Sequence, residues 1–272
     1  MPSLLSNRLA KRVLRPAFAL VEQRMERVTT AFQADLDALH HEVADLRRQS
    51  YGLGLLLDQA GRDGHRMPTA TQVDTLVREV RAVTGDGGER ARHDITIAYR
   101  HLVAVEALGA GGLAGTVSDV CGRLATVPLL APPNGDVLEI GTLHGLFAAA
   151  LQRMLRRDGV EARLTIVDPL DTSPTREEVV RGNLALGGGN GSADAVRIAR
   201  GGFGDADVRE RISDRRYGVI VVNGDHDLAA VRDLAAPGAV VVLGSDAGAR
   251  PAGLTGLGRV ADSVYCRAAA AS

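Results

Sequence analysis

The sequence predicts an α/β protein: a doubly wound, mostly parallel sheet preceded by an N-terminal helical region. Three observations carry that expectation. From Asp136 onward, short β-rich runs alternate with helix-like segments, and most of the runs are apolar throughout, as strands covered on both faces are. Residues 1–130 show helical periodicity instead. Where the two textures meet stands Asp136-Val-Leu-Glu-Ile-Gly-Thr-Leu-His-Gly145, in which an apolar strand, a glycine-bracketed turn and a helix start follow one another directly. The expected division is therefore a helical region over 1–130 and an α/β domain over 131–272.

Composition narrows the function before any motif is weighed. At 272 residues the chain has room for one large domain, or one domain and an extension. A net charge of −1 and a pI of about 6.7 give no basic field for nucleic acid or an anionic membrane. Aromatics make up 3% and Trp is absent, which is poor material for stacking bases or sugars. Cys121 and Cys266 fit no metal-ligand spacing; free buried thiols in a reducing cytoplasm are expected. No apolar run reaches the roughly 18 residues of a spanning helix. Nor does the start, with Arg8, Lys11, Arg12 and Arg15, have the form of a signal peptide.

Taken in order, a first basic, amphipathic stretch runs to Pro16, and a long helix is expected over about 18–49. Val21, Met25, Val28, Phe32, Leu36, Leu39, Val43 and Leu46 recur about every 3.5–3.6 residues, between the coiled-coil and straight-helix periods. So exposed a stripe needs cover, and a second copy of the chain, giving a homo-oligomer, is the expected partner. Further helices are expected over Thr71–Val83, Arg90–Leu108 and Thr116–Leu124, with Gly-rich breaks between them and Pro128, Pro132 and Pro133 after them. In the second half, strands are expected at Val137–Ile140, Leu164–Val167, Ala195–Ala199, Val219–Val222 and Ala239–Leu243. Helices are expected at Leu143–Arg157, Thr175–Leu186, Asp205–Ile212 and His226–Leu234. Near the C-terminus one further strand candidate stands out, Arg259–Arg267.

In a parallel doubly wound sheet, ligands bind beyond the carboxyl ends of the strands, so those ends are the candidate site. After the first strand the spacing is Glu139-x-Gly141-x-x-x-Gly145, without the glycine that lets a dinucleotide pyrophosphate approach. Glu139 suits a ligand with a positive end. The second strand ends at Asp168, an acid placed to accept from a ribose diol. After the third come Gly201, Gly202, Phe203, Gly204 and Asp205, where small residues admit a flat ring; Asp205 could cap the next helix or bond an adenine amino group. The fourth ends in Asn223-Gly-Asp225-His226-Asp227, and the fifth in Ser245-Asp246-Ala247.

The 136–145 stretch resembles the first motif of class I S-adenosylmethionine-dependent methyltransferases. Asn223-Gly-Asp-His226 followed by Val231-Arg-Asp-Leu234, Pro237-Gly-Ala239 and Ser245-Asp246, together with Gly201-Gly-Phe-Gly-Asp205, resembles the small-molecule O-methyltransferases of the macrocin and cephamycin type. The resemblance covers about Asp136–Asp246. It implies a Rossmann-like methyltransferase sheet, a cytoplasmic enzyme of bacterial secondary metabolism, S-adenosylmethionine as methyl donor and a small molecule as acceptor, methylated at oxygen. It further implies that Glu139, Gly141, Thr142, His144 and Gly145 cradle the donor's amino-acid end. Asp168 would take the ribose; Gly202, Phe203 and Asp205 the adenine; and Asn223 would lie beside the donor. His226, helped by Asp225, would be the base.

The departures are equally specific. Family members hold a divalent metal with an acid after strand four and an acidic pair after strand five; here those positions are Asn223, Asp246 and Ala247. One carboxylate and one amide are a poor hard-cation site, so no metal is expected. A methyltransferase-like fold that no longer methylates, and a nicotinamide oxidoreductase, are the competing possibilities. The family's usual closing antiparallel pair is also expected to be cut short.

Overall fold

The computed structural model describes residues 24–30, 32, 33, 35, 36, 39, 68–170, 174–188, 196–224, 226–244 and 253–269. Two compact units are present, Met1–Tyr51 and Gly52–Ser272. In the first, the described residues are helical. Thr29 and Thr30 return their hydroxyl protons to the carbonyls of Met25 and Glu26, each at 2.8 Å, and Met25, Val28, Phe32, Leu36 and Leu39 are exposed. Val21, Val43 and Leu46 of the expected stripe lie outside the described residues.

The second unit contains both the remaining helices and the sheet. Helix α1 (Ala70–Thr84) opens on a capping box, in which Thr69 accepts from the Gln72 N–H and the Gln72 side chain accepts from the Thr69 N–H. Helix α2 spans Ala91–Leu108, and α3 spans Val117–Leu129, capped by Thr116. Pro128 is accommodated in the last turn of α3, so the helix outruns its expected end at Leu124. The texture change near residue 130 separates two kinds of secondary structure within this one compact unit. Helices α1–α3 bury Leu76, Val80, Ile95, Leu102, Leu124 and Val127 in the same core as the sheet.

Among the described residues, seven strands form one sheet: β1 (Asp136–Ile140), β2 (Arg163–Asp168), β3 (Arg197–Arg200), β4 (Tyr217–Val222), β5 (Ala235–Leu243), β6 (Leu254–Val260) and β7 (Ser263–Ala268). Their order is β3-β2-β1-β4-β5-β7-β6. The first five are parallel, and β7 runs antiparallel to both β5 and β6. Strand alternation sends Val219 and Val221 of β4 into the core shared with α1–α3, α4 (Leu146–Arg157) and α5 (Pro174–Gly188). Ile220 and Val222 enter the opposite layer, with α6 (Ala206–Ile212) and α7 (Leu228–Leu234). Helices thus cover both faces, which is why these strands tolerate no alternation of polar residues.

Two further expectations are corrected. The sheet closes with a full antiparallel pair, β6 and β7, instead of one strand over Arg259–Arg267. Leu254–Val260 reads as loop because Gly256 and Gly258 interrupt its apolar pattern; the register shifts between those glycines, and Gly258 has φ +148°. In addition, α4 begins at Leu146 and not at Leu143. Leu143 (φ +56°) and Gly145 (φ +80°) are left-handed, so residues 143–145 form a turn that no helix can include.

Candidate active site

Between β1 and β4 the chain's crossovers diverge, and the carboxyl ends of these two strands open a crevice. Its floor is built by the turn after β1. The Gly141 N–H continues the sheet by donating to the Val167 carbonyl at 2.9 Å, and its φ of +78° redirects the chain. A Cβ on Gly141 would stand 3.0 Å from the Asn223 carbonyl oxygen, so both backbone conformation and space call for glycine here. Gly145 then donates to the Thr142 carbonyl and, having no side chain, leaves the start of α4 without a side-chain cap.

Two carboxylates face this turn. Glu139, 2% exposed, accepts the Thr142 hydroxyl on Oε2 at 2.7 Å, while its Oε1 has no partner. Burial pushes its carboxyl up to about 7; the Thr142 hydroxyl and the nearby Arg123 pull the other way. Asp168, at the end of β2, accepts the Thr142 N–H on Oδ2 at 2.9 Å and the Leu170 N–H on Oδ1 at 2.8 Å. Arg176 of α5 lies 3.6 Å from Oδ1 and also donates to the Leu143 carbonyl. Asp168 therefore holds the turns after β1 and β2 together and still has lone pairs to offer a ligand.

A cation from the helical region completes the wall. Arg123 of α3 donates from Nε to Ser263 Oγ at 2.6 Å and from Nη1 to Asn223 Oδ1 at 2.7 Å; its Nη2 lies 2.6 Å from Asp119 Oδ2. Ser263 in turn donates to Asp119 Oδ1 at 2.6 Å, and the guanidinium lies 5.9 Å from the Phe147 ring centroid. Asn223 Nδ2 donates to the Gly141 carbonyl at 2.6 Å. An aspartate at 223 could accept from Arg123 but would turn an oxygen against that carbonyl, so the amide suits this bridge.

These groups enclose a cavity of about 260 Å³. Of the residues expected from sequence, Glu139, Gly141, Thr142, Asp168 and Asn223 line it together. His144 stands apart: its ring packs on Gly111, with Nδ1 3.1 Å from the Gly112 carbonyl oxygen and 3.3 Å from the Gly112 nitrogen. Gly202, Phe203 and Asp205 follow β3 outside the cavity lining; Asp205 Oδ2 accepts the Gly202 N–H at 2.7 Å, and Phe203 is buried. His226 has Nε2 3.1 Å from the Asn223 carbonyl oxygen and meets Phe203 edge to face, ring centroids 5.9 Å apart. Asp225, Asp246 and Ala247 lie outside the described residues. Among the described residues, no group of three His, Cys, Asp or Glu is placed to hold a metal.

Arg123, Arg176 and Phe147 line the cavity without a sequence signal that singles them out. Asp119 and Arg123 are an i,i+4 pair, which on sequence alone reads as a surface ion pair. A ligand with one cationic end and a vicinal diol fits the arrangement: Glu139 offers an unpaired buried oxygen, Asp168 further acceptor capacity, and Gly141 close backbone approach.

A family model described as a methyltransferase domain matches residues 138–245. No curated protein matches the chain. Among solved structures, similarity extends to cofactor-bound Rv0187 from MTB, with 25% identity over 56% of this chain and 65% of that one, TM-score 0.36. It extends also to the O-methyltransferase TomG from Streptomyces achromogenes, involved in tomaymycin synthesis and in complex with SAM: 21% identity, 54% and 64% covered, TM-score 0.37. A putative O-methyltransferase from Klebsiella pneumoniae shows 18% identity, 67% and 90% covered, TM-score 0.41. The chain spans just under two thirds of the length of the first two. The match to the methyltransferase-domain model runs from within β1 to just past β5 and so includes Glu139, Asp168 and Asn223 of the cavity lining.

Proposed function

We propose that the chain is an S-adenosylmethionine-dependent methyltransferase acting on a small molecule at oxygen. The observation that carries this is the unpaired Glu139 Oε1, buried in a cavity wall beside Asp168 and the Gly141 turn. A buried carboxylate oxygen without a donor is costly, and an ammonium group arriving there supplies both charge and hydrogen bonds. Asp168, already fixed by two backbone N–H groups, receives the ribose diol. Gly141 leaves room for the ligand's backbone-facing edge, and the uncapped start of α4 lies alongside.

The donor supplies a methyl group on a positively charged sulfur; the acceptor oxygen's lone pair forms the new C–O bond while the C–S pair stays with sulfur. What the protein adds is alignment and, for a hydroxyl acceptor, removal of a proton. His226 is the candidate base. With Nε2–H donating to the Asn223 carbonyl, Nδ1 is the nitrogen left to take a proton. A setting in bacterial secondary metabolism, a cytoplasmic location and homo-oligomerisation through the N-terminal helix expected over about 18–49 belong to the same proposal. Among the described residues no helix is long and apolar enough to cross a membrane.

Incubating the protein with methyl-labelled S-adenosylmethionine and a panel of phenols and carboxylic acids tests the activity. Label transferred into a small-molecule product is expected. Donor binding with no transfer to any acceptor would favour a fold that has lost methylation.

A further inference from the structure

Building on the methyl-transfer function proposed above, we infer that Arg123 is the acceptor-side binding residue and selects acceptors carrying an anionic oxygen. Sheet order separates the two halves of the cavity. Asp168 ends β2 and Asn223 follows β4, with β1 between them, so they stand roughly 10 Å apart, two strand spacings. A ribose on Asp168 and an ammonium group on Glu139 occupy the β2–β1 half. Arg123, held on Asn223, fills the β4 half.

The guanidinium is built into that wall. Asp119, Ser263 and Asn223 each engage a different nitrogen, leaving each terminal nitrogen one further N–H without an acceptor among the described residues. Its side chain is only 12% exposed. Val120 and Phe147, cavity neighbours, offer nothing polar, so an oxyanion arriving from the cavity has Arg123 as its charged donor on this side. A planar, permanently charged guanidinium with a donor left on each terminal nitrogen suits a carboxylate or a phenolate, and the apolar neighbours suit an aromatic ring bearing it.

The test measures binding to the full-length protein saturated with S-adenosylhomocysteine, by calorimetry and ligand-observed NMR. Benzoate is compared with benzamide, its neutral counterpart, and 4-nitrophenolate with 4-nitroanisole. Each anion is expected to bind about ten- to a hundredfold more tightly than its neutral partner, the usual effect of a hydrogen bond to a charged group. Arg123→Gln should abolish that preference while S-adenosylhomocysteine affinity stays within about threefold. Arg123→Lys, which keeps the charge should the neutral variant fail to fold, should retain a reduced preference. Preference for benzoate alone, or for 4-nitrophenolate alone, assigns the oxyanion to a carboxylate or a phenolate. Equal binding of charged and neutral probes to the wild type overturns the inference. So does a large loss of S-adenosylhomocysteine affinity in Arg123→Gln with the preference intact, which would put Arg123 on the donor's carboxylate. Failure of the wild type to bind S-adenosylhomocysteine would instead refute the proposed methyl-transfer function.

Discussion

Glu139→Gln is the perturbation with the most calculable outcome. In the folded chain without ligand, burial raises the Glu139 carboxyl from its ordinary 4.5 to about 7. The native state therefore keeps a proton that the unfolded chain releases between those values. Stability falls as pH rises through that window and is level above it. A difference of about 2.5 pH units at ~1.4 kcal/mol each amounts to about 3 kcal/mol, as an upper figure. Glutamine has nearly the same shape and carries no such dependence. It also brings its own cost, since an amide nitrogen near the position of Oε1 would be unpartnered, so the pH dependence of the difference is the useful quantity. Urea unfolding of both proteins at pH 5 and pH 8 measures it. The variant should gain about 2–3 kcal/mol on the wild type between the two values. Saturating S-adenosylhomocysteine should shrink that gain, because its ammonium group would hold Glu139 ionised. A difference constant to within about 0.5 kcal/mol across the range would show that Glu139 is not the buried, proton-holding group described here.

Further outcomes follow from the same geometry. Asp168→Ala should weaken S-adenosylhomocysteine by about 1.5–3 kcal/mol for each ribose hydrogen bond lost, read by calorimetry; unchanged affinity would remove Asp168 from the site. His226→Ala should lower turnover about 10²–10⁴-fold with a hydroxyl acceptor, with donor affinity kept, as initial-rate kinetics would show. With Asn223 bridging Arg123 and Gly141, methyl transfer should survive EDTA and gain little from magnesium; loss on chelation with recovery on magnesium would reveal a metal site involving other residues. Light scattering of the full chain and of a form lacking residues 1–50 should show an oligomer that the deletion dissociates, since Met25, Val28, Phe32, Leu36 and Leu39 are otherwise left to water.

What could be read from sequence divides along physical lines. The parallel strands were legible because burial on both faces leaves uninterrupted apolar runs such as Val219–Val222. Strand β6 was not, because a glycine-bearing edge strand lacks that pattern. Glu139, Asp168 and Asn223 could be located because strand ends in this topology converge on one crevice, whatever their sequence separation. Arg123 could not, because its role depends on where α3 docks: the contacts with Ser263 and Asn223 cross 140 and 100 residues. For Phe203 and His226, the edge-to-face contact depends on a loop packing that neither local motif encodes.

Donor binding is the most direct measurement: calorimetric titration of the full chain with S-adenosylhomocysteine, and in parallel with NADH. The cavity predicts heat at one site per chain for S-adenosylhomocysteine, lost or much reduced in Asp168→Ala, and none for NADH. Binding of NADH with no response to S-adenosylhomocysteine would contradict a methyl-donor site built on Glu139 and Asp168.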